Sequence, residues 1–530
     1  MTSPEQRPEA RTVSGSVRGC RRNGIAAFHG IPYAASPVGA LRFAAPQPPS
    51  SWSGTRDATK PGPAAPQPTG RNPVLPLPSG DVDEHECLTA NIWSPDLEGS
   101  RPVLLWLYGG GYLAGSGAWS CYDGAELSRA GNIVVVTINY RVGPLGYLYL
   151  AGLSDHLGEG NFGLLDQIAA LRWVRENIAA FGGDPNAITV GGQSAGAMST
   201  VLLMAGRDSR PLFQRALLES PPLVEPTPIS EATQVAESYL DVLGLTPRSL
   251  DELRSLPWKQ LIDAYEQLLA RQMSSGNPAP PLVPVLGGAG IPESPLAVTR
   301  RGDTGGISVL AGTTRDERNL YPSFGLDAMD KSGALTMMRD WFGPNAAEAY
   351  EYYDRRRPGA TPWQVANDAV TFGLFERGTL ALIEDQARAG NPGYLYRFDW
   401  QSHGHDGHLG APHCIELPFL FGNHAVWRET ELLRDSDPHA VTSLTAAFQS
   451  AVTSFVRTGI PNGSLLPPWE AYEPDHRATM RFDTVVECVG DLAGLQRTLG
   501  EIGSTGDEMG ASPEPTAADS RTDRTLGVLS

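Results

Sequence analysis

Residues 188–199 read ITVGGQSAGAMS, and this dozen restricts the fold more than any other stretch of the chain. Ile188 and Val190 alternate as in a strand, and the run from Met198 to Met204 has the character of a helix. Only Gly192-Gln193-Ser194-Ala195-Gly196 connects the two. A strand that turns this sharply into a helix lifts the central serine hydroxyl clear of a sheet edge and strains its backbone. The flanking positions need glycine, because a Cβ there would strike the neighbouring chain. The helix that follows aims its free N-terminal N–H groups at the space above the serine, where they favour negative charge. With 59 glycines in 530 residues, a G-x-S-x-G arises by chance about half a time per chain, so its strand–turn–helix setting carries the weight.

A serine so placed acts as a nucleophile only with an oxyanion site, a base and an acid that orients the base. Residues 103–108 (VLLWLY) form an unbroken apolar run, the mark of a strand buried on both faces, and Gly109-Gly110-Gly111 follow at once. Backbone N–H groups in such a loop can approach a carbonyl closely, although three glycines alone would equally suit a flexible turn. Among ten histidines, His413 lies in a loop of small residues, Gly410-Ala411-Pro412-His413, just before an apolar run, which suits the base. The nearby His403-Gly404-His405-Asp406-Gly407-His408 invites a metal reading. Its Asp directly follows the second His, unlike the H-x-H-x-D-H of metallo-hydrolases, so it reads as a solvated polar loop; no metal and no cofactor is expected. The acid should fall between Ser194 and His413. Residues 307–312 (ISVLAG) read as a strand with Asp316 and Glu317 beyond its C-terminal end, where active sites of open α/β sheets lie. Composition leaves the choice between the two open.

Further stretches extend the pattern: Phe28-His29-Gly30-Ile31-Pro32-Tyr33-Ala34; Glu86-Cys87-Leu88-Thr89-Ala90-Asn91-Ile92-Trp93; Asn139-Tyr140-Arg141-Val142-Gly143; NFGLLDQ at 161–167; and Phe181-Gly182-Gly183-Asp184-Pro185. With these the chain resembles, over about residues 12–490, the type-B carboxylesterase/lipase family, α/β-hydrolases that include bacterial para-nitrobenzyl esterase-like enzymes and the cholinesterases. The resemblance implies an α/β-hydrolase fold: a large, mostly parallel central sheet flanked by helices, with helical insertions around an active-site gorge. It implies carboxylic-ester hydrolysis through an acyl-enzyme, with Ser194, Glu317 (rather than Asp316) and His413 as triad and the N–H groups of Gly110, Gly111 and Ala195 as oxyanion hole. It makes Arg141 and Asp166 a structural salt bridge and gives Tyr108 a precedent in cholinesterases. Four positions depart from the family pattern. Gln193 replaces Glu before the serine, Pro221 replaces Gly after Ser220, and Arg318 replaces Gly after Glu317. His85 stands where a Glu is usual, so a family salt bridge to the Arg42 region is expected to be missing.

One large domain is expected over residues 12–499, with a flexible N-terminus at 1–11 and a disordered acidic tail at 500–530. The Pro-rich residues 57–80 read as a loop over the site entrance, and 326–390 turns helical, as in residues 366–389. No apolar run approaches the ~18–20 residues that span a bilayer, and the first fifteen residues lack the apolar core of a secretion signal. Five scattered cysteines show no metal-like spacing. Secreted relatives commonly pair a cysteine at the Cys87 position with one upstream across a loop; residues 51–86 contain none, which together with the missing signal places the protein in a reducing cytoplasm. Cys121 and Cys414 are expected to be buried. A formal charge of −18 argues against nucleic acid and anionic membrane as partners. The resemblance implies a small-molecule ester, expected to be neutral and hydrophobic, as substrate, and the protein is expected to be a monomer or weak homo-oligomer. By the resemblance to cholinesterases, which hold the cation of a choline ester against an aromatic face, choline esters are expected to be poor substrates here: the corresponding loop, 71–78, lacks an aromatic residue and Gln193 lacks a carboxylate. An acyltransferase or cyclase using the same acyl-enzyme is the alternative, ahead of a non-catalytic binding protein.

Overall fold

The apolar runs that read as doubly buried strands pair side by side into one eleven-stranded sheet. The computed structural model describes residues 7–499 except 69–80, 155, 156, 159, 275–278, 321–327, 405, 406, 429, 495 and 498. Across the sheet the order is Glu487–Gly490, Ala478–Phe482, Gly393–Phe398, Ser308–Thr314, Arg215–Glu219, Gly183–Gln193, Arg101–Leu107, Val134–Ile138, Thr89–Ser94, Ile25–Pro32 and Cys20–Arg22. Pairings from Ala478–Phe482 through to Val134–Ile138 are all parallel; those outside them are antiparallel. Parallel strands need covered faces. Helices Phe162–Asn177, Ala195–Ala205, Arg377–Arg388 and Pro438–Thr458 supply the cover and bury apolar stripes against the strands. This is the α/β-hydrolase architecture, and the parallel strand ends carry the site.

A second, smaller apolar core joins helices Lys331–Phe342, Ala346–Arg356 and Pro362–Thr371, so the helical stretch after residue 326 is an insertion with its own packing. The period across 366–389 is not uniform. A π-turn, Phe372–Glu376, separates Pro362–Thr371 from Arg377–Arg388 while the backbone stays helical through the junctions.

Two expectations are corrected. Residues 9–11, expected in a flexible N-terminus, lie in a strand: Glu9–Thr12 pairs antiparallel with Gly15–Arg18, which pairs with Thr55–Asp57 in a separate three-stranded sheet, and its alternate residues Ala10 and Thr12 are buried. The Arg42 salt bridge is not missing. Glu84, one residue before His85, takes the role; its carboxylate meets the buried Arg42 guanidinium, which also donates to the carbonyls of Leu253, Arg254 and Leu256. His85 is exposed and pairs with Asp83.

Arg141 and Asp166 form the expected buried pair, with Nε and Nη2 each 2.8 Å from a carboxylate oxygen. All five cysteines are free, and Cys87, Cys121 and Cys414 are buried. No described helix is long and apolar enough to cross a membrane. The proposed entrance loop falls partly, at 69–80, and the acidic tail wholly, outside the described residues, as do His405 and Asp406 of the histidine-rich loop.

Candidate active site

Strand Gly183–Gln193 ends in the centre of the sheet, and helix Ala195–Ala205 starts two residues later, so Ser194 alone makes the turn. Its backbone sits at φ +56°, ψ −125°, a sparsely populated region that a non-glycine residue occupies only when its surroundings enforce it. The enforcement is visible. Ser194 N–H donates to Glu219 O of the adjacent strand at 2.8 Å, and Ser194 O accepts from Met198 N–H at 2.9 Å. The two elbow glycines are close-packed as the sequence requires. A Cβ on Gly192 would lie 2.5 Å from the Gly196 carbonyl carbon, and one on Gly196 only 2.0 Å from Leu107 O.

The glycine loop after Arg101–Leu107 lies against this elbow; a Cβ on Gly109 would come within 3.0 Å of Ser194 Cβ. Gly110 (φ +127°) and Gly111 (φ +62°) hold conformations that side chains disfavour. Carbonyl Gly110 O is taken by Leu113 and Ala114 N–H, whereas no described group accepts from the N–H of Gly110, Gly111 or Ala195. This loop is a fixed one. Tyr108 and Tyr140 stack 4.1 Å apart and clasp each other, each hydroxyl donating to the other's backbone carbonyl at 2.9 and 2.6 Å. Gln67 brackets Gly115 through both its N–H and its carbonyl, and Asn139 Oδ1 accepts from Ser116 Oγ and Gly117 N–H.

Glu317 and His413 meet although 96 residues separate them: His413 Nδ1 lies 2.5 Å from Glu317 Oε2. The other carboxylate oxygen, Oε1, accepts from Thr314 N–H at 2.8 Å, and His413 N–H donates to Glu317 O. Both side chains are buried. On its far side, His413 Nε2 lies 3.0 Å from the Gln193 amide nitrogen, which puts the imidazole against the residue preceding Ser194. Asp316 points elsewhere. Its Oδ2 accepts from Arg315 at 2.7 Å and from Ala411 N–H at 2.8 Å, and its own N–H donates to Ala411 O, so it stitches down the loop that carries His413. Of the two carboxylates, Glu317 lies against the His413 ring, whereas Asp316 is held by Arg315 and Ala411.

Sequence reasoning missed several neighbours. Phe375, in the π-turn, packs its ring 5.0 Å from the His413 ring. Glu376 beside it is buried, and burial pushes its carboxyl up to about 7. Gln193 was recognisable as a departure, but its contact with His413 needed the fold. The other departures are built in: Ser220, before Pro221, takes φ +50°, and Arg318 donates to Asn367 Oδ1 at 2.9 Å.

Comparison with known proteins follows the same lines. The profile of the "Carboxylesterase family" matches residues 6–493. Phenmedipham hydrolase of Pseudarthrobacter oxydans is 38% identical over 92% of this chain and 97% of its own length. Para-nitrobenzyl esterase of Bacillus subtilis is 35% identical over 91% of this chain and 96% of its own. The crystal structure of a Geobacillus stearothermophilus carboxylesterase at pH 6.2 superposes with a TM-score of 0.83 at 36% identity, covering 93% of this chain and 99% of that one.

Proposed function

The chain belongs to the carboxylesterase family, and on that premise we propose that it hydrolyses neutral, hydrophobic carboxylic esters through an acyl-enzyme on Ser194. Carboxylesterase activity as such follows from the family and its esterase relatives; the residue roles are our reading. His413 takes the proton from Ser194 as the hydroxyl oxygen attacks the ester carbonyl, and Glu317 holds His413 in the tautomer whose Nε2 carries no hydrogen and so can accept it. The N–H groups of Gly110, Gly111 and Ala195 receive the tetrahedral oxyanion, where one donor is commonly worth ~3–4 kcal/mol of barrier. His413 then hands its proton to the leaving alcohol. Water, deprotonated by His413, attacks the acyl carbonyl and releases the acid.

The observation that carries this reading is the forced backbone of Ser194 beside the Glu317–His413 contact of 2.5 Å. Strain persists at functional positions where surrounding structure over-determines it. An apolar substrate is supported by Phe375 against the imidazole and by Pro280, whose ring would lie 3.3 Å from a Cβ on Gly111. Five free cysteines support a reducing, cytoplasmic location. Acyl transfer to an alcohol or amine shares the first half-reaction, so products formed with and without an added acceptor separate it from hydrolysis.

The test is Ser194→Ala. It should fold, lose ester hydrolysis by several orders of magnitude and fail to take up a fluorophosphonate by intact mass. Labelling of the variant at the wild-type rate would remove Ser194 from the role.

A further inference from the structure

Two carboxyl groups behind the site play no part in the chemistry above. Glu219 ends strand Arg215–Glu219, and Glu416 directly precedes helix Leu417–Phe421, three residues after His413. Each is 0% exposed. Glu416 Oε1 lies 3.4 Å from Ser220 Oγ, but Glu416 Oε2 and both carboxyl oxygens of Glu219 meet no hydrogen-bond partner among the described residues. Bare buried carboxylates are costly, and two side by side more so.

Among the described residues, the surroundings offer no counter-charge. Glu317 faces the pair from beyond strand Ser308–Thr314, Tyr396 from strand Gly393–Phe398, and Cys414 from the His413 loop. Gln193 and Ser194 lie on the adjoining strand, joined to Glu219 by backbone pairing. Among the described residues, no arginine or lysine shifts either carboxyl. Burial, then the neighbouring Glu416, holds Glu219 well above the usual carboxylate range; burial, then the charge of Glu317, pushes Glu416 up to about 8. The two titrate as a pair.

We propose that Glu219 and Glu416 share a proton behind the catalytic centre, and that Glu219 is thereby a positioning residue for ester hydrolysis, holding the elbow in place only while the pair keeps that proton. This rests on the roles proposed for Ser194, Glu317 and His413. The coupling is geometric: the residue that would become charged is the one whose backbone carbonyl receives Ser194 N–H. When the proton passes to solvent, the bare charge of the pair stands beside Glu317 in a buried site. Relief requires the strand end under Ser194 to move. The sign follows from the folded protein holding the proton more tightly than the unfolded chain, whose Glu titrates at ~4.3. Stability therefore falls as pH rises above that value, and the loss is complete only once pH passes the folded-state value, about 8 for Glu416.

The experiment compares wild type with Glu219→Gln, Glu416→Gln and the double variant, which keep shape and remove charge. The infrared difference spectrum in D2O, wild type minus double variant, should contain the C=O stretch of a protonated carboxyl at neutral pH, lost on alkaline titration; Glu376, present in both proteins, cancels. Wild-type kcat should drop about fivefold or more on the alkaline side while KM changes little; in Glu219→Gln the alkaline kcat should stay level with that variant's own neutral value. Its thermal midpoint should also fall less than that of wild type between pH ~4.3 and about 8. An infrared spectrum identical in wild type and double variant at neutral pH would overturn the shared proton. An alkaline limb unchanged in Glu219→Gln would overturn the positioning role. The infrared arm needs no catalysis, so it can fail while the Ser194–His413–Glu317 assignment stands, and the reverse.

Discussion

Replacing Glu317 by Gln changes one oxygen to an NH2 and little else in size, yet the surroundings leave the amide no good orientation. Oε1 accepts from Thr314 N–H and Oε2 faces His413 Nδ1, so both oxygens are used as acceptors. A glutamine offers one acceptor and one donor. If its carbonyl serves Thr314, its NH2 points at Nδ1 and selects the tautomer that carries hydrogen on Nε2, which cannot take the proton of Ser194. If instead its carbonyl serves His413, the NH2 opposes Thr314 N–H and leaves a buried donor unsatisfied, at a cost of ~1–3 kcal/mol. Either way the imidazolium loses its buried counter-charge. The matching substitution in a Ser-His-Asp triad lowers kcat about 10⁴-fold, equivalent to ~5.4 kcal/mol of barrier. We expect a fall of that order in kcat, with KM within about threefold, because no substrate-binding group is removed. Asp316→Asn should act differently. It weakens bonds from Arg315 and Ala411 at the base of the His413 loop, so it should lower the thermal midpoint while leaving kcat within about tenfold. The assay is steady-state hydrolysis of a chromogenic ester, normalised by fluorophosphonate titration of active sites. Glu317→Gln within tenfold of wild type, or Asp316→Asn the more damaging of the two, would refute the reasoning.

Gly196→Ala should lower both stability and activity even though alanine is ordinarily the better helix former by ~1 kcal/mol, because its Cβ would press on Leu107 O from 2.0 Å; a variant as stable and active as wild type would mean the elbow is looser than its packing implies. Arg141→Met should cost ~3–5 kcal/mol in denaturant unfolding by stranding the buried Asp166 carboxylate, and Arg141→Met with Asp166→Leu should recover most of that loss. Failure of the double variant to recover would mean that the pair's remaining contacts, not its charge balance, hold the site. Choline esters should have lower kcat/KM than neutral esters of the same acyl group, since the side chain before Ser194 is an uncharged amide; a preference for the choline ester that survives high salt would show a cation site.

Much of this site could be read along the chain because its parts are local. The elbow needs only a strand, two glycines and a helix in succession, and residues 103–111 announce a buried strand followed by a loop without side chains. What was not legible is what distant segments decide. Asp316 and Glu317 are chemically alike, and only the approach of the 410–413 loop assigns one to His413 and the other to Arg315 and Ala411. His85 looked like the loss of a salt bridge because spacing was counted to the residue, whereas Glu84 reaches Arg42 from one position earlier. The N-terminal strand was overlooked because four residues of alternating burial, Glu9–Thr12, carry too little apolar content to declare a period. Glu219 and Glu416 lie 197 positions apart, and neither flanking sequence betrays that they meet in a site without cations.

The π-turn at Phe372–Glu376 is a helix with one residue too many. Each residue of an α-helix advances the next by about 100°, so removing one from this turn would restore ordinary winding and swing everything on one side of it by that angle relative to the other. Phe375, which now lies over the His413 ring, would be carried off that face although no side chain had been exchanged. The wall beside the base therefore has a setting that point substitution cannot reach. A change in chain length by a single codon can, with the helix and its buried stripe otherwise kept, and substrate range in such an enzyme can shift in one step through deletion where a walk through substitutions would need several.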